Sequence, residues 1–181
     1  MAGRIRSRRL PAVALGTVAA LALAVAVAAS ADDGGGKGER HGEGHRNAAK
    51  VLSAKLAPSV PTDPAVHGVP AGGVPWVIDR GTVSLGADGH LKVAIRGLVI
   101  PVAHGGLPAG TARPVTTVRA SLFCAPDASA AVATTASVPI SEDGDARIDD
   151  RIALPSTCLA PTVLVQPNAL NAYIALPGWR S

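Results

Sequence analysis

From Trp76 onward, apolar residues recur at every second position in short runs separated by turn residues, and this alternation limits the possible folds more than any other feature of the chain. A period of two sends successive side chains to opposite faces of an extended strand, whereas a helix needs a period near 3.6. Val83 and Leu85 alternate with Thr82 and Ser84, Asp88-Gly89 offers a tight turn, and Leu91, Val93 and Ile95 then alternate with Lys92, Ala94 and Arg96. This is the clearest hairpin in the chain. The pattern returns at Val118, Ala120 and Leu122, over residues 131–139, and at Ile148, Ile152 and Leu154 behind the turn Glu142-Asp143-Gly144-Asp145. It closes with residues 162–166 and 172–176. Seven or eight such strands, with no long helical pattern after Pro58, predict an all-β, antiparallel Ig-like β-sandwich over residues 76–181.

The chain ahead of this region divides by composition. Arg4, Arg6, Arg8 and Arg9 precede an apolar run over residues 10–29, and Ala29-Ser30-Ala31 places small residues where a signal peptidase cuts. Residues 1–31 thus read as a cleaved secretory signal. An uncleaved membrane anchor is the alternative, because the run is about as long as a bilayer-spanning helix, although its alanine gains less from lipid than leucine does. Residues 32–46 hold glycine, charge and histidine, too little apolar surface to offset the entropy of ordering, and are expected to form a disordered arm. Ala48, Val51, Leu52 and Leu56 fall at helical spacing between Asn47 and Pro58, which predicts a short helix over 47–57. The prolines and glycines that follow make the rest of 47–75 an extended lead-in.

Charge narrows the choice of partners. Four of the 17 basic residues and none of the 13 acidic ones lie in residues 1–31, so the remainder carries 13 of each and is net neutral. The basic footprint of a nucleic-acid binder is therefore absent, and no nucleic-acid partner is expected. A membrane partner is expected only if the N-terminal segment stays uncleaved. Four aromatic side chains in all, Trp76, Phe123, Tyr173 and Trp179, also disfavour the flat ring platforms on which sugars stack. Trp76 and Trp179 bracket the β region and read as closing core residues, of which at least one is expected to be buried.

Cys124 and Cys158 both lie in the β region, and in an exported chain the oxidising surroundings let them pair as a structural disulfide. Candidate chemistry elsewhere is thin. His41 and His45 stand four apart in the glycine-rich arm, a spacing that holds zinc only if the segment becomes helical, which its glycines oppose. His67, His90 and His104 fall in separate loops or turns and read as surface residues. The acidic run Glu142, Asp143, Asp145, Asp149 and Asp150 departs from the spacing of a calcium loop, is interrupted by Arg147 and Arg151, and reads as a turn with a charged strand behind it. Gly81-Thr82-Val83-Ser84-Leu85-Gly86 has one residue too many before its serine for a nucleophile elbow. No cofactor-binding motif occurs, and no catalytic residue is assigned.

The stretches LAPSVPTDPAVHGV, PWVIDRGTVSL, DGHLKVAIRGLVIP, VTTVRASLFC, DARIDD and CLAPTVLVQPN resemble secreted proteins of high-GC bacteria. The resemblance spans most of the chain after the signal and implies export; it carries no activity, ligand or site residue. Two readings of function follow. One is a secreted or envelope-associated, non-enzymatic β-sandwich with a binding or structural role, which meets its partner through edge strands or loops. The alternative is a secreted hydrolase whose site joins a loop histidine, His90 or His104, to an aspartate from another loop in a concave site. Metal binding by the His41 and His45 arm is a lesser third.

Overall fold

The computed structural model describes residues 49–127 and 129–178, and this part of the chain is all-β and antiparallel with no helix. Nine strands follow in order: β1 (Lys50–Pro58), β2 (Arg80–Gly86), β3 (His90–Arg96), β4 (Thr117–Phe123), β5 (Ala133–Thr134), β6 (Val138–Pro139), β7 (Ala146–Arg151), β8 (Thr162–Pro167) and β9 (Ala175–Pro177). They lie side by side as β5-β4-β8-β9-β1-β2-β3-β7, with β6 also paired to β4. The expected β2–β3 hairpin forms around Asp88-Gly89, with Val83 opposite Val93 and Leu85 opposite Leu91.

Strand β1 joins the two halves of the sandwich. Its first part pairs with β2 from Lys50 to Lys55, and its last three residues pair with β9 from Leu56 to Pro58. One sheet therefore folds over on itself through β1, and its two halves face each other across a shared core. Leu85, Leu91, Val93, Ile95 and Ile148 from one half and Val118, Ala120, Leu122, Val163 and Val165 from the other belong to a single buried cluster. Trp76 is buried in this core, as expected; Trp179 lies outside the described residues.

Three sequence expectations need correction. The predicted short helix over 47–57 is strand β1. Leu52, Ala54 and Leu56 alternate with exposed Ser53 and Lys55, so the same residues satisfy a period of two, and pairing on both edges outweighs a marginal isolated helix. The β domain consequently takes in β1 and begins well before Trp76. The single strand expected over 131–139 is the two short strands β5 and β6, each holding a different stretch of β4. Between them Thr135 donates its N–H to the carbonyl of Ala120 and accepts the N–H of Ala120 on its hydroxyl, so a side chain takes the place of one backbone acceptor there.

Residues 59–79, the expected lead-in, contain only isolated bridges and no named strand. They are nonetheless tightly placed. The Ser59 hydroxyl donates to the carbonyl of Tyr173, the Tyr173 hydroxyl donates to the carbonyl of Pro64, and the His67 ring stacks on Phe123 at 4.7 Å between centroids. The segment thereby covers the outer side of β4 and β8, where Phe123, Leu164, Val69 and Tyr173 form a second buried cluster.

Candidate functional site

The outer face of β1, β2, β3 and β7 is built from the polar half of the alternating pattern. Register sets Lys55 opposite Thr82, Thr82 opposite Ala94 and Ala94 opposite Arg147, which makes one row across four strands. The next row runs Ser53, Ser84, Lys92, Asp149. With strands about 4.8 Å apart, Lys55 and Arg147 stand about 14 Å from each other across the face. Between them the small side chains of Ser53, Thr82, Ser84 and Ala94 leave an open trough of about 520 Å³, lined also by Lys55, Lys92 and Arg147.

Charge is distributed unevenly over the described residues. Seven of their nine lysines and arginines, Lys50, Lys55, Arg80, Lys92, Arg96, Arg147 and Arg151, lie on these four strands, against two of their nine carboxylates, Asp149 and Asp150. Arg147 lies 3.5 Å from Asp149, and Arg151 lies 3.2 Å from Asp88. Among the described residues Lys55, Lys92, Arg80 and Arg96 form no ion pair, so their charge is uncompensated by a direct contact.

At the hairpin end of this face, His90 Nε2 lies 2.5 Å from Asp149 Oδ1, with both side chains exposed by more than a third. The hydrogen bond from His90 holds the Asp149 carboxyl below its ordinary value; Lys92 and Arg147 add to the effect, and slight desolvation opposes it. The Asp88 carboxyl is also lowered, first by the backbone N–H of His90 that it accepts and then by Arg151. Stable carboxylates beside exposed cations describe a solvated charge cluster. No serine, threonine or cysteine of the described residues hydrogen-bonds the His90 ring.

No protein-family model, curated protein or solved structure matches this chain.

The sequence-predicted candidates are placed as follows. Cys124 and Cys158 are disulfide-bonded, with Cα atoms 4.8 Å apart. His41 and His45 lie outside the described residues. His67 is half-buried on Phe123, His104 is exposed in a loop, and His90 contacts the carboxylate of Asp149. The acidic run is dispersed by the fold rather than gathered. Glu142 pairs with Arg113, Asp145 accepts the N–H of Gly97, Asp149 meets His90, and Asp150 accepts the N–H groups of Ala136 and Arg151. No group of three or more metal-ligating side chains occurs among the described residues.

The cationic trough escaped sequence reading because its members are far apart in the chain. Lys55, Lys92 and Arg147 each look like an ordinary exposed strand position. Only the register of β1, β2, β3 and β7 collects them. The signal that was available is their shared place on the polar side of each alternating run.

Proposed function

We propose that the chain is an exported, non-enzymatic β-sandwich that acts by binding, with the open face of β1, β2, β3 and β7 as its contact surface. The observation that carries this reading is the exposed trough between Lys55 and Arg147, whose floor is made of small side chains and whose Lys55 and Lys92 form no ion pair among the described residues. Export is supported by the N-terminal pattern of residues 1–31 and by the Cys124–Cys158 bond, which suits an oxidising compartment. Among the described residues no helix is long and apolar enough to cross a membrane. The edges are poorer contact surfaces than the face: β5 and β6 cover the outer edge of β4, and Asp150 of β7 binds the N–H of Ala136 across the opening.

The hydrolase reading has one observation in its favour, the His90–Asp149 pair. Among the described residues no nucleophile hydrogen-bonds the His90 ring, and both members of the pair are exposed by more than a third, whereas such chemistry requires a nucleophile on the base within a sheltered site.

The test is expression with the native N-terminus in an exporting bacterial host. Recovery outside the cytoplasm, with Asp32 as the new N-terminus and Cys124 bonded to Cys158 by mass spectrometry, is the expected result. A reduced, full-length protein retained in the cytoplasm would overturn the exported reading.

A further inference from the structure

We infer that the open face binds a linear phosphate polymer without aromatic groups. This rests on the reading of the face as a contact surface and names its occupant from charge and donor geometry. Lys55 and Lys92 supply ammonium groups, Arg147 supplies a guanidinium, and the hydroxyls of Ser53, Thr82 and Ser84 lie between them. These are predominantly donors, and Asp149, engaged by His90 and Arg147, is the carboxylate on the two rows.

A ligand complementary to such a surface is rich in acceptors, negatively charged and repeating, because the cations are spread over about 14 Å rather than gathered at one point. Phosphate groups meet these demands better than an acidic peptide does. A peptide brings an N–H donor with every residue, for which this face has few acceptors, whereas phosphate oxygens accept from ammonium, guanidinium and hydroxyl alike. Nucleic acid is a poorer match despite its phosphates. Among the described residues no aromatic ring lines the trough, so unstacked bases find no platform there. The floor is formed by small side chains of two adjacent rows, Thr82 with Ala94 and Ser53 with Ser84, and Arg80 and Arg96 continue the positive charge beyond it on β2 and β3.

The experiment is titration of the purified, oxidised protein with inorganic polyphosphate of defined length, followed by calorimetry. Charge-matched polyglutamate and single-stranded DNA serve as competing probes. Polyphosphate is expected to bind, and with about four phosphate contacts its affinity should fall about fiftyfold between about 50 and about 200 mM salt. Lys55→Glu combined with Lys92→Glu is expected to weaken binding at least about tenfold, since each reversal removes an attraction and adds a repulsion. Arg113→Glu, a reversal elsewhere on the surface, is expected to leave binding unchanged. The milder pair Lys55→Gln and Lys92→Gln gives the same ranking should the reversals disturb folding. Absence of polyphosphate binding, binding indifferent to Lys55 and Lys92, or equal or tighter binding of polyglutamate or DNA would each overturn the inference. The export experiment is independent of all these outcomes, so failure of the ligand assignment is distinguishable from failure of the exported reading.

Discussion

Phe123 and Leu164 project from the outer side of β4 and β8 and are buried beneath residues 60–73, whereas Thr82 and Ala94 project from the outer side of β2 and β3 and remain exposed. Both faces belong to one sheet, folded through β1, and both back onto the same core. The difference lies in the outward half of the alternation. On β2, β3 and β7 it is hydroxyl, alanine and charge, which lose little in water; on β4 and β8 it includes large apolar groups that need a cover. The proline-rich lead-in supplies that cover, and its prolines reduce the entropy lost when it is ordered. One face therefore contributes to stability, and the other is free to serve a ligand.

Substitutions should separate the two faces sharply. The largest effect is expected on the covered side, where Tyr173→Ala or Phe123→Ala should cost about 3 to 5 kcal/mol in chemical denaturation, because each empties a buried site that a loop cannot readily refill. A cost below about 1 kcal/mol would show that the lead-in packs loosely and that the contrast between faces is false. Next in size is the disulfide, which closes a separation of 34 residues between the end of β4 and the approach to β8. Cys124→Ser with Cys158→Ser should cost about 4 kcal/mol in the chain-entropy account, with hydrogen-exchange protection falling first in β4 and β8 rather than in the β2–β3 hairpin. Uniform loss of protection would mean that the halves do not differ in local stability.

On the open face the same measurement should register little. Thr82→Ala, Lys55→Ala and Arg147→Ala are each expected to change stability by no more than about 0.5 kcal/mol, as exposed side chains outside any buried network do. A cost of several kcal/mol at one of them would mark this face as structural. The smallest effect concerns pH. Asp149 and Asp88 are held below their ordinary value by hydrogen bonds to His90 and by neighbouring cations, so their contribution is complete above the ordinary carboxylate value and is lost as pH falls through the lowered one. Acid titration of stability should therefore steepen below about pH 4, and Asp149→Asn should flatten that slope; an unchanged slope would mean that the His90 contact has no thermodynamic weight.

Much of this architecture was legible in the residues. The β2–β3 hairpin follows from clean alternation on either side of Asp88-Gly89, and the disulfide from the two cysteines of the β region. The helical spacing of strand β1 is ambiguous because Leu52 and Leu56 fit both periods, and the choice between them is made by β2 and β9, which lie far away in sequence. The covered face had a local signal, the large apolar Phe123 and Leu164 at outward positions where the same runs otherwise place Thr117, Arg119, Ser121 and Gln166. What covers them depended on tertiary contacts of Pro64, His67 and Tyr173. The cationic trough was least legible, since net neutrality over the chain after residue 31 concealed a separation of charge that only strand register creates.

The most direct test of the contrast is a residue-resolved amide NMR titration of the oxidised protein with polyphosphate. The account predicts shifts concentrated at Ser53, Lys55, Thr82, Ser84, Lys92, Ala94 and Arg147, with residues 60–73 and the Phe123–Leu164 cover unmoved. Shifts centred on the covered face, or spread evenly over both, would contradict it.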